Sequence, residues 1–174
     1  MENIMQMVAE LMALSARTAP KGLGEDQIET KIVTGTALQT LADEMEQYGQ
    51  RQQKINFDRD AKNVRQSDAI LLLSLRENKV LGLHCGACGE NLCTNLQERQ
   101  GPEFDGPLCA WKLVDLGIAL GSAVKTASML NADNRIMYRV GVVAKKMGLI
   151  EGPIVIGVPI SGYAKNIYFD RALD

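Results

Sequence analysis

The sequence has almost no charge imbalance, since 19 lysine and arginine residues oppose 21 acidic residues for a net charge of −2. Binding to nucleic acid or to an anionic membrane usually needs a basic excess, so neither partner is expected. The chain also lacks an apolar run of the roughly 18 residues that cross a bilayer, and its first residues lack the basic and apolar regions of a signal peptide. We therefore expect a cytoplasmic protein.

Histidine and tryptophan are scarce, with His84 and Trp111 as the single examples. His84 directly precedes a cysteine, which is a poor position for the base of a Ser–His–Asp set, so hydrolase chemistry is disfavoured. The pair Gly22 and Gly24 does not follow a predicted strand, which argues against a dinucleotide-binding loop. The chemistry must be sought in other residues.

Apolar spacing predicts helices over residues 3–17, 36–50, 58–65, 90–99, 108–127 and 134–147, and strands over 28–33, 68–75 and 154–160. The order is not a regular alternation of strand and helix, so the predicted fold class is α+β, a helix-rich domain around a small sheet. We expect residues 1–174 to form a single domain, with residues 84–109 as an inserted segment.

All four cysteines of the chain, Cys85, Cys88, Cys93 and Cys109, follow the pattern C-x2-C-x4-C-x15-C. In a reducing compartment such a group indicates metal or redox chemistry rather than disulfides. Short Cys-x-x-Cys loops with glycines suit an iron–sulfur cluster, because the backbone can wrap the cluster and point N–H groups at its sulfurs. We interpret the four cysteines as cluster ligands.

Two other interpretations of the cysteines stay open. A structural zinc site also uses four cysteines, although such sites usually draw two from each of two pairs, whereas this chain offers three plus one. A thioredoxin-like thiol pair is the weaker alternative, because it leaves two cysteines unexplained. We expect His84 to lie beside the ligands rather than replace one, and Trp111 to shield the site or pack in the core.

The run from Cys85 to Cys93, with Cys109 further on, resembles the [4Fe–4S] domain of the B subunit of Rnf electron-transport complexes and of corrinoid iron–sulfur proteins. That resemblance implies that all four cysteines bind one [4Fe–4S] cluster. A wider resemblance links the chain to an uncharacterised bacterial and archaeal family described as containing a ferredoxin domain. It is carried by residues 15–22, 115–123, 133–138 and 157–161.

The sequence Ala16-Arg17-Thr18-Ala19-Pro20 is similar to the start of nitroreductase-like flavoproteins, in which an Ala-Pro loop after the first helix contacts FMN. The Asn-x-Gln-Pro-Trp continuation of many such proteins is missing here. The resemblance implies FMN as a second cofactor, with candidate contacts at Arg17, Lys21, Gly22, Arg135 and Lys165. The alternative is that the four charged residues among them are surface charges or ordinary ion-pair partners.

The expected function is therefore that of an iron–sulfur redox protein in electron transfer, either as a carrier or as a flavin-assisted oxidoreductase. Its partner would be a redox protein or a small-molecule electron acceptor. The alternative function is a zinc-stabilised binding or self-association module. Small residues at Gly117, Gly121 and Ala127 on the helix expected after Cys109 are compatible with a homodimer.

Overall fold

The central strand of the protein is the apolar run from Ala69 to Leu75, in which every residue is buried. A computed structural model describes residues 2–169 of the chain. Its helices are α1 (Glu2–Thr18), α2 (Gly35–Arg51), α3 (Phe57–Arg65), α4 (Ala110–Met129) and α5 (Tyr138–Lys146). Its strands are β1 (Ile28–Val33), β2 (Ala69–Leu75), β3 (Asp133–Asn134) and β4 (Val155–Ser161), which form one antiparallel sheet in the order β1-β2-β4-β3.

Helices cover both faces of this sheet. Alternate residues of a strand point to opposite faces, so β2 contributes side chains to a core on each side. Leu71 and Leu73 of β2 belong to the hydrophobic core formed with α1 and α4. Ile70 and Leu72 belong to the core formed with α2, α3 and α5. The one polar side chain of the strand, Ser74, donates to the carbonyl oxygens of Leu75 and Ile154, each at 2.9 Å. The continuous apolar run is therefore typical of a strand that is buried on both faces.

The predicted α+β class is confirmed, and most predicted elements form close to their expected limits. The helix expected over 90–99 is wrong, because only a 3-10 turn forms at Cys93–Asn95 and the flanking Leu92 and Leu96 are extended. This segment is exposed and has little core to pack against. Most short helices are stabilised by tertiary packing, so a helix does not form here.

The last helix also begins later than predicted. Residues 134–147 were expected to be helical, but Asp133 and Asn134 pair with Ser161 and Ile160 of β4, and helix starts only at Tyr138. The backbone groups of Asp133 and Asn134 find their hydrogen-bond partners in β4. A local helical pattern in the sequence does not reveal this long-range pairing. Gly148 follows the helix with φ 66°, as expected of a terminating glycine.

Helices α1 and α4 lie against each other on one face of the sheet. The hydroxyls of Ser15 and Thr126 are 2.6 Å apart across this contact. Closer to the start of α4, the N–H of Gly22 donates to Oδ1 of Asp115 at 2.8 Å. These contacts hold the end of α1 and the following turn against the first half of α4, which begins directly after Cys109. Among residues 2–169, none of the helices combines the length and apolarity that crossing a membrane requires.

Candidate functional site

The segment between β2 and α4 carries three of the cysteines and ends at the fourth. Residues 76–109 contain no regular element except the turn at Cys93–Asn95 and an isolated bridge between Arg99 and Gly106. A connection of this length without its own helix or strand is uncommon in a small domain and usually functional. The observed loop therefore starts before the predicted insert at 84–109 and includes all of it.

The structure brings all four cysteines to one pocket, and none of them forms a disulfide. Exposure falls from Cys85, which is exposed, through Cys88 and Cys93, which are partly buried, to Cys109, which is buried. The rest of the lining is largely apolar and includes Val80, Leu81, Leu83, Leu96 and Trp111. Sequence spacing grouped the thiols correctly, but it gave no sign that Val80 and Leu81 would join them.

Two of the sulfur atoms accept hydrogen bonds from nitrogen donors. The indole Nε1–H of Trp111 donates to Sγ of Cys85 at 3.3 Å, and the backbone N–H of His84 donates to Sγ of Cys93 at 3.3 Å. In return, the N–H of Cys93 donates to Nδ1 of His84 at 3.0 Å. Donors of this kind stabilise negative charge on sulfur, as cluster and metal ligands require.

The thiol of Cys85 is biased toward its thiolate. A hydrogen bond from the backbone of Ala87, followed by the one from Trp111, lowers the pKa of Cys85 below its ordinary value. A thiolate is the form that binds metals, so both contacts favour ligation.

Cys109 links the pocket to the hydrophobic core. It is the N-cap residue of α4, and its carbonyl accepts the N–H groups of Lys112 and Leu113 at 3.0 and 3.1 Å. The helix thus begins at Ala110, two residues after its predicted start at Leu108. Because helix geometry fixes its backbone, Cys109 is the rigid member of the set.

A [4Fe–4S] cluster fits the donor set, and the loop must adjust to admit it. The free space between the lining residues is about 10 Å³, room for roughly one water molecule. Among the described residues, no three His, Cys, Asp or Glu side chains converge tightly enough to hold a single metal ion. Gly86 and Gly89 have φ angles of 74° and 93°, which glycine adopts readily, and neither is packed against a neighbour on its Cβ side.

Three of the candidate flavin contacts lie together at the end of α1. Arg17 is exposed and pairs with Asp26 at 3.5 Å. Lys21 is almost fully buried and donates to the carbonyl oxygens of Ala16, Arg17 and Ala19 at 2.6 to 2.9 Å, so its ammonium group terminates α1. A methyl group at Gly22 would come within 2.9 Å of the Leu81 side chain. These contacts give Lys21 and Gly22 structural roles, and their part in flavin binding stays a prediction.

The other two candidates lie near the end of the described chain. Arg135 donates to the carbonyl oxygen of Tyr168 at 2.8 Å, and its guanidinium lies over the ring of Phe169. Lys165 follows β4 and is exposed. The contacts of Arg135 are with Tyr168 and Phe169, whereas those of Arg17 and Lys21 are with Asp26 and the end of α1.

Solved structures with a similar fold include nitroreductases with bound FMN. A nitroreductase with bound FMN from Desulfitobacterium hafniense DCB-2 is 12% identical, with a TM-score of 0.58 over 91% of this chain and 78% of that chain. A nitroreductase described as putative, in complex with FMN, from Desulfovibrio desulfuricans is 11% identical, with a TM-score of 0.57 over 96% of this chain and 79% of that chain. At these identities the likeness shows the fold, which is nitroreductase-like.

The sequence itself has a much nearer relative. An uncharacterised protein of Archaeoglobus fulgidus is 48% identical over 169 residues, which cover 96% of this chain and 91% of the relative. Residues 105–171 match a family described as uncharacterised proteins containing a ferredoxin domain. The matched region begins shortly before Cys109 and runs through α4, β3, α5 and β4. The chain belongs to this family of uncharacterised, ferredoxin-domain-containing proteins, as the resemblance in its sequence predicted.

Proposed function

We propose that this protein is an iron–sulfur redox protein in which Cys85, Cys88, Cys93 and Cys109 bind one [4Fe–4S] cluster for electron transfer. The observation that carries the proposal is that all four cysteines of the chain border a single pocket, with nitrogen donors directed at two of their sulfurs. The family description and the nitroreductase-like fold both support redox chemistry.

When bound, a cluster of this type accepts and releases one electron at a time. The chain supplies four thiolate ligands and an apolar surrounding for such a cluster. Cys109 anchors it to α4, and the three loop cysteines close around it from the exposed side. The apolar side chains of Val80, Leu81 and Leu96 limit water on the inner side, which strengthens every electrostatic contact to the sulfurs.

The site also suggests where electrons enter and leave. Cys85 is exposed, and Leu83 and Trp111, which border the same pocket, are 54% and 44% exposed. A redox protein or a small-molecule electron acceptor in the cytoplasm would approach this side, where the least protein separates the cluster from solvent. Residues 84–109 then act as an inserted electron-transfer segment on the nitroreductase-like domain.

Metal and sulfide analysis of anaerobically purified full-length protein tests the proposal. We expect brown protein with about four iron and four acid-labile sulfide per chain and broad absorbance near about 400 nm. Replacing Cys88 with alanine should remove the cluster, whereas Thr94→Ala, at an exposed neighbour of Cys93, should keep it. Colourless protein with one zinc ion and no sulfide would instead establish the zinc-stabilised module.

A flavin-assisted oxidoreductase is the second form of this proposal, and the fold favours it. Two structures with this fold carry FMN. In this form FMN lies near Arg17, whose guanidinium is exposed and suits a phosphate. Denaturing the reconstituted protein should release FMN fluorescence. Arg17→Ala should weaken FMN binding, and Arg51→Ala, at a similarly exposed, ion-paired arginine in the last turn of α2, should not. Absence of FMN after reconstitution leaves the electron-carrier form.

A homodimer is proposed from the outer surface of α1 and α4. Exposed apolar side chains follow one face of α1, at Ile4, Met7, Leu11 and Leu14, and continue on α4 at Val114 and Ile118. Gly117 and Gly121 lie on that exposed face, whereas Ala127 is buried against α1. Sedimentation analysis should show a dimer that Gly121→Arg converts to monomer.

A further inference from the structure

Trp111 lies where the exposed cysteine loop meets helix α4. It is the second residue of α4, directly after Cys109 and Ala110, and its side chain reaches back to the first cysteine of the loop. The indole Nε1–H donates to Sγ of Cys85 at 3.3 Å. One side chain therefore joins the rigid end of the candidate site to its most exposed ligand.

A further donor to the sulfur of Cys85 is the backbone of Ala87, which no substitution of a side chain removes. Trp111 borders the pocket and is 44% exposed, so it lies at the solvent-facing edge of the site. Cys93 has a comparable donor in the backbone N–H of His84, which no substitution of a side chain removes. The contact from Trp111 is thus the one side-chain donor to a cysteine sulfur recorded among residues 2–169.

We propose that Trp111 is a positioning residue that fixes Cys85 and raises the reduction potential of the bound cluster through its indole N–H. The proposal rests on the iron–sulfur function proposed above. Reduction adds one negative charge, part of which resides on the cysteine sulfurs. A hydrogen-bond donor therefore stabilises the reduced form more than the oxidised form and raises the potential. Trp111 itself is neither oxidised nor reduced.

Two substitutions separate the N–H group from the aromatic ring. Trp111→Phe keeps a ring over the pocket but has no N–H, whereas Trp111→Gln has an amide N–H at a similar distance from the backbone but no ring. The midpoint potential of each anaerobically reconstituted protein is measured by titration with dithionite in the presence of mediator dyes, each cluster taking up one electron. Leu113→Ala, at another exposed apolar residue near the start of α4, is the matched control.

We expect the Phe variant to have the lower potential. At the midpoint potential of the wild type, the ratio of oxidised to reduced cluster in the Phe variant should be about three- to tenfold higher than in the wild type. A tenfold change corresponds to about 59 mV for a one-electron couple. The Gln and Leu113→Ala variants should stay near the wild type. Loss of the cluster from the Phe variant but not from the Gln variant would also support a role for the N–H.

Three results would overturn the inference while leaving the iron–sulfur proposal intact. These are an unchanged potential in the Phe variant, a shift in the Gln variant as large as that in Phe, and equal loss of the cluster from both. A wild-type protein without iron and sulfide would instead refute the proposed function itself, so the two failures are distinguishable.

Discussion

His84 and Cys93 are joined by two hydrogen bonds that run in opposite directions. The N–H of His84 donates to Sγ of Cys93, and the N–H of Cys93 donates to Nδ1 of His84. The two residues thereby close the loop that contains Cys85 and Cys88. His84 has a φ of 49°, a region that asparagine and glycine tolerate better than most residues. The imidazole Nδ1 thus contacts the backbone N–H of Cys93.

His84→Gly should make the cluster more labile. Glycine accepts the backbone conformation but removes the acceptor for the Cys93 N–H. A net hydrogen bond contributes about 1 kcal/mol, which corresponds to roughly fivefold faster cluster loss. His84→Asn, which keeps an acceptor atom in the same place, should behave like the wild type. The measurement is the decay of visible absorbance after addition of an iron chelator, and equal rates for the two variants would disprove the role of the acceptor.

Replacing individual cysteines should separate cluster binding from fold stability. Cys88→Ala and Cys109→Ala should both lose the cluster, because each removes one thiolate ligand. In metal-free protein, only Cys109→Ala should lower the free energy of unfolding, by about 1 to 2 kcal/mol, because its side chain is buried beside the start of α4 while Cys88 lies in the loop. Denaturant titration of metal-free proteins provides the measurement. Retention of the cluster by Cys109→Ala, or equal stability of the two variants, would contradict the coupling of the fourth ligand to α4.

The sequence predicted the elements whose hydrophobic pattern is strong. Helix α1 and strand β1 lie within one residue of their expected limits, and β2 starts one residue late. The errors occur where long-range partners decide the structure. Asp133 and Asn134 look like the start of a helix locally, but β4 pairs with them across the sheet. Residues 90–99 carry apolar spacing without a core to bury it.

The grouping of the four cysteines was predictable from the sequence, whereas their surroundings were not. Four cysteines at short spacing are recognisable in the sequence as a group. The hydrogen bonds that Trp111 and His84 donate to their sulfurs depend on how the loop folds. For Lys21, the structure shows a structural contact that the sequence did not predict. A lysine beside a glycine turn resembles a phosphate contact in sequence, yet its ammonium group is occupied by three carbonyl oxygens at the end of α1.

Asp115→Ala should destabilise the protein strongly. Asp115 pairs with Lys112, whose side chain is only 1% exposed, and accepts the N–H of Gly22. Removing one member of a buried pair leaves an unpaired buried charge and costs about 3 to 5 kcal/mol. The double variant Lys112→Met with Asp115→Asn, which has no charge and keeps the acceptor for Gly22, should be more stable than Asp115→Ala alone.

An exposed ion pair provides the control for this measurement. Asp43 pairs with Arg65 at 2.8 Å on the surface, and Asp43→Ala should cost less than about 1 kcal/mol. The free energies come from urea titrations of the metal-free proteins. If Asp115→Ala were no more harmful than Asp43→Ala, the turn after α1 would not depend on α4 for its position.

Tyr168 should make the fold sensitive to alkaline pH. Its side chain is buried, with its hydroxyl 3.0 Å from that of Ser67, and burial raises the pKa of Tyr168 well above its ordinary value of about 10. The hydroxyl of Ser161 lowers this pKa, and the carboxylates of Asp68 and Asp133 raise it further. Above pH about 10 the unfolded chain therefore loses the tyrosine proton while the folded chain keeps it. Stability that is complete below that pH is lost as the pH rises, by up to about 1.4 kcal/mol per pH unit.

Tyr168→Phe removes this titration. The variant should be about 1 kcal/mol less stable than the wild type at pH 8, because it lacks the hydrogen bond to Ser67. The difference should shrink by about 1 kcal/mol between pH 10 and 11, since only the wild type loses stability through this group. Tyr163→Phe, at a tyrosine that is 50% exposed, should instead run parallel to the wild type. Urea titrations at each pH provide the curves, and a Tyr168→Phe curve parallel to the wild type over this range would show that the buried hydroxyl is not the group that titrates.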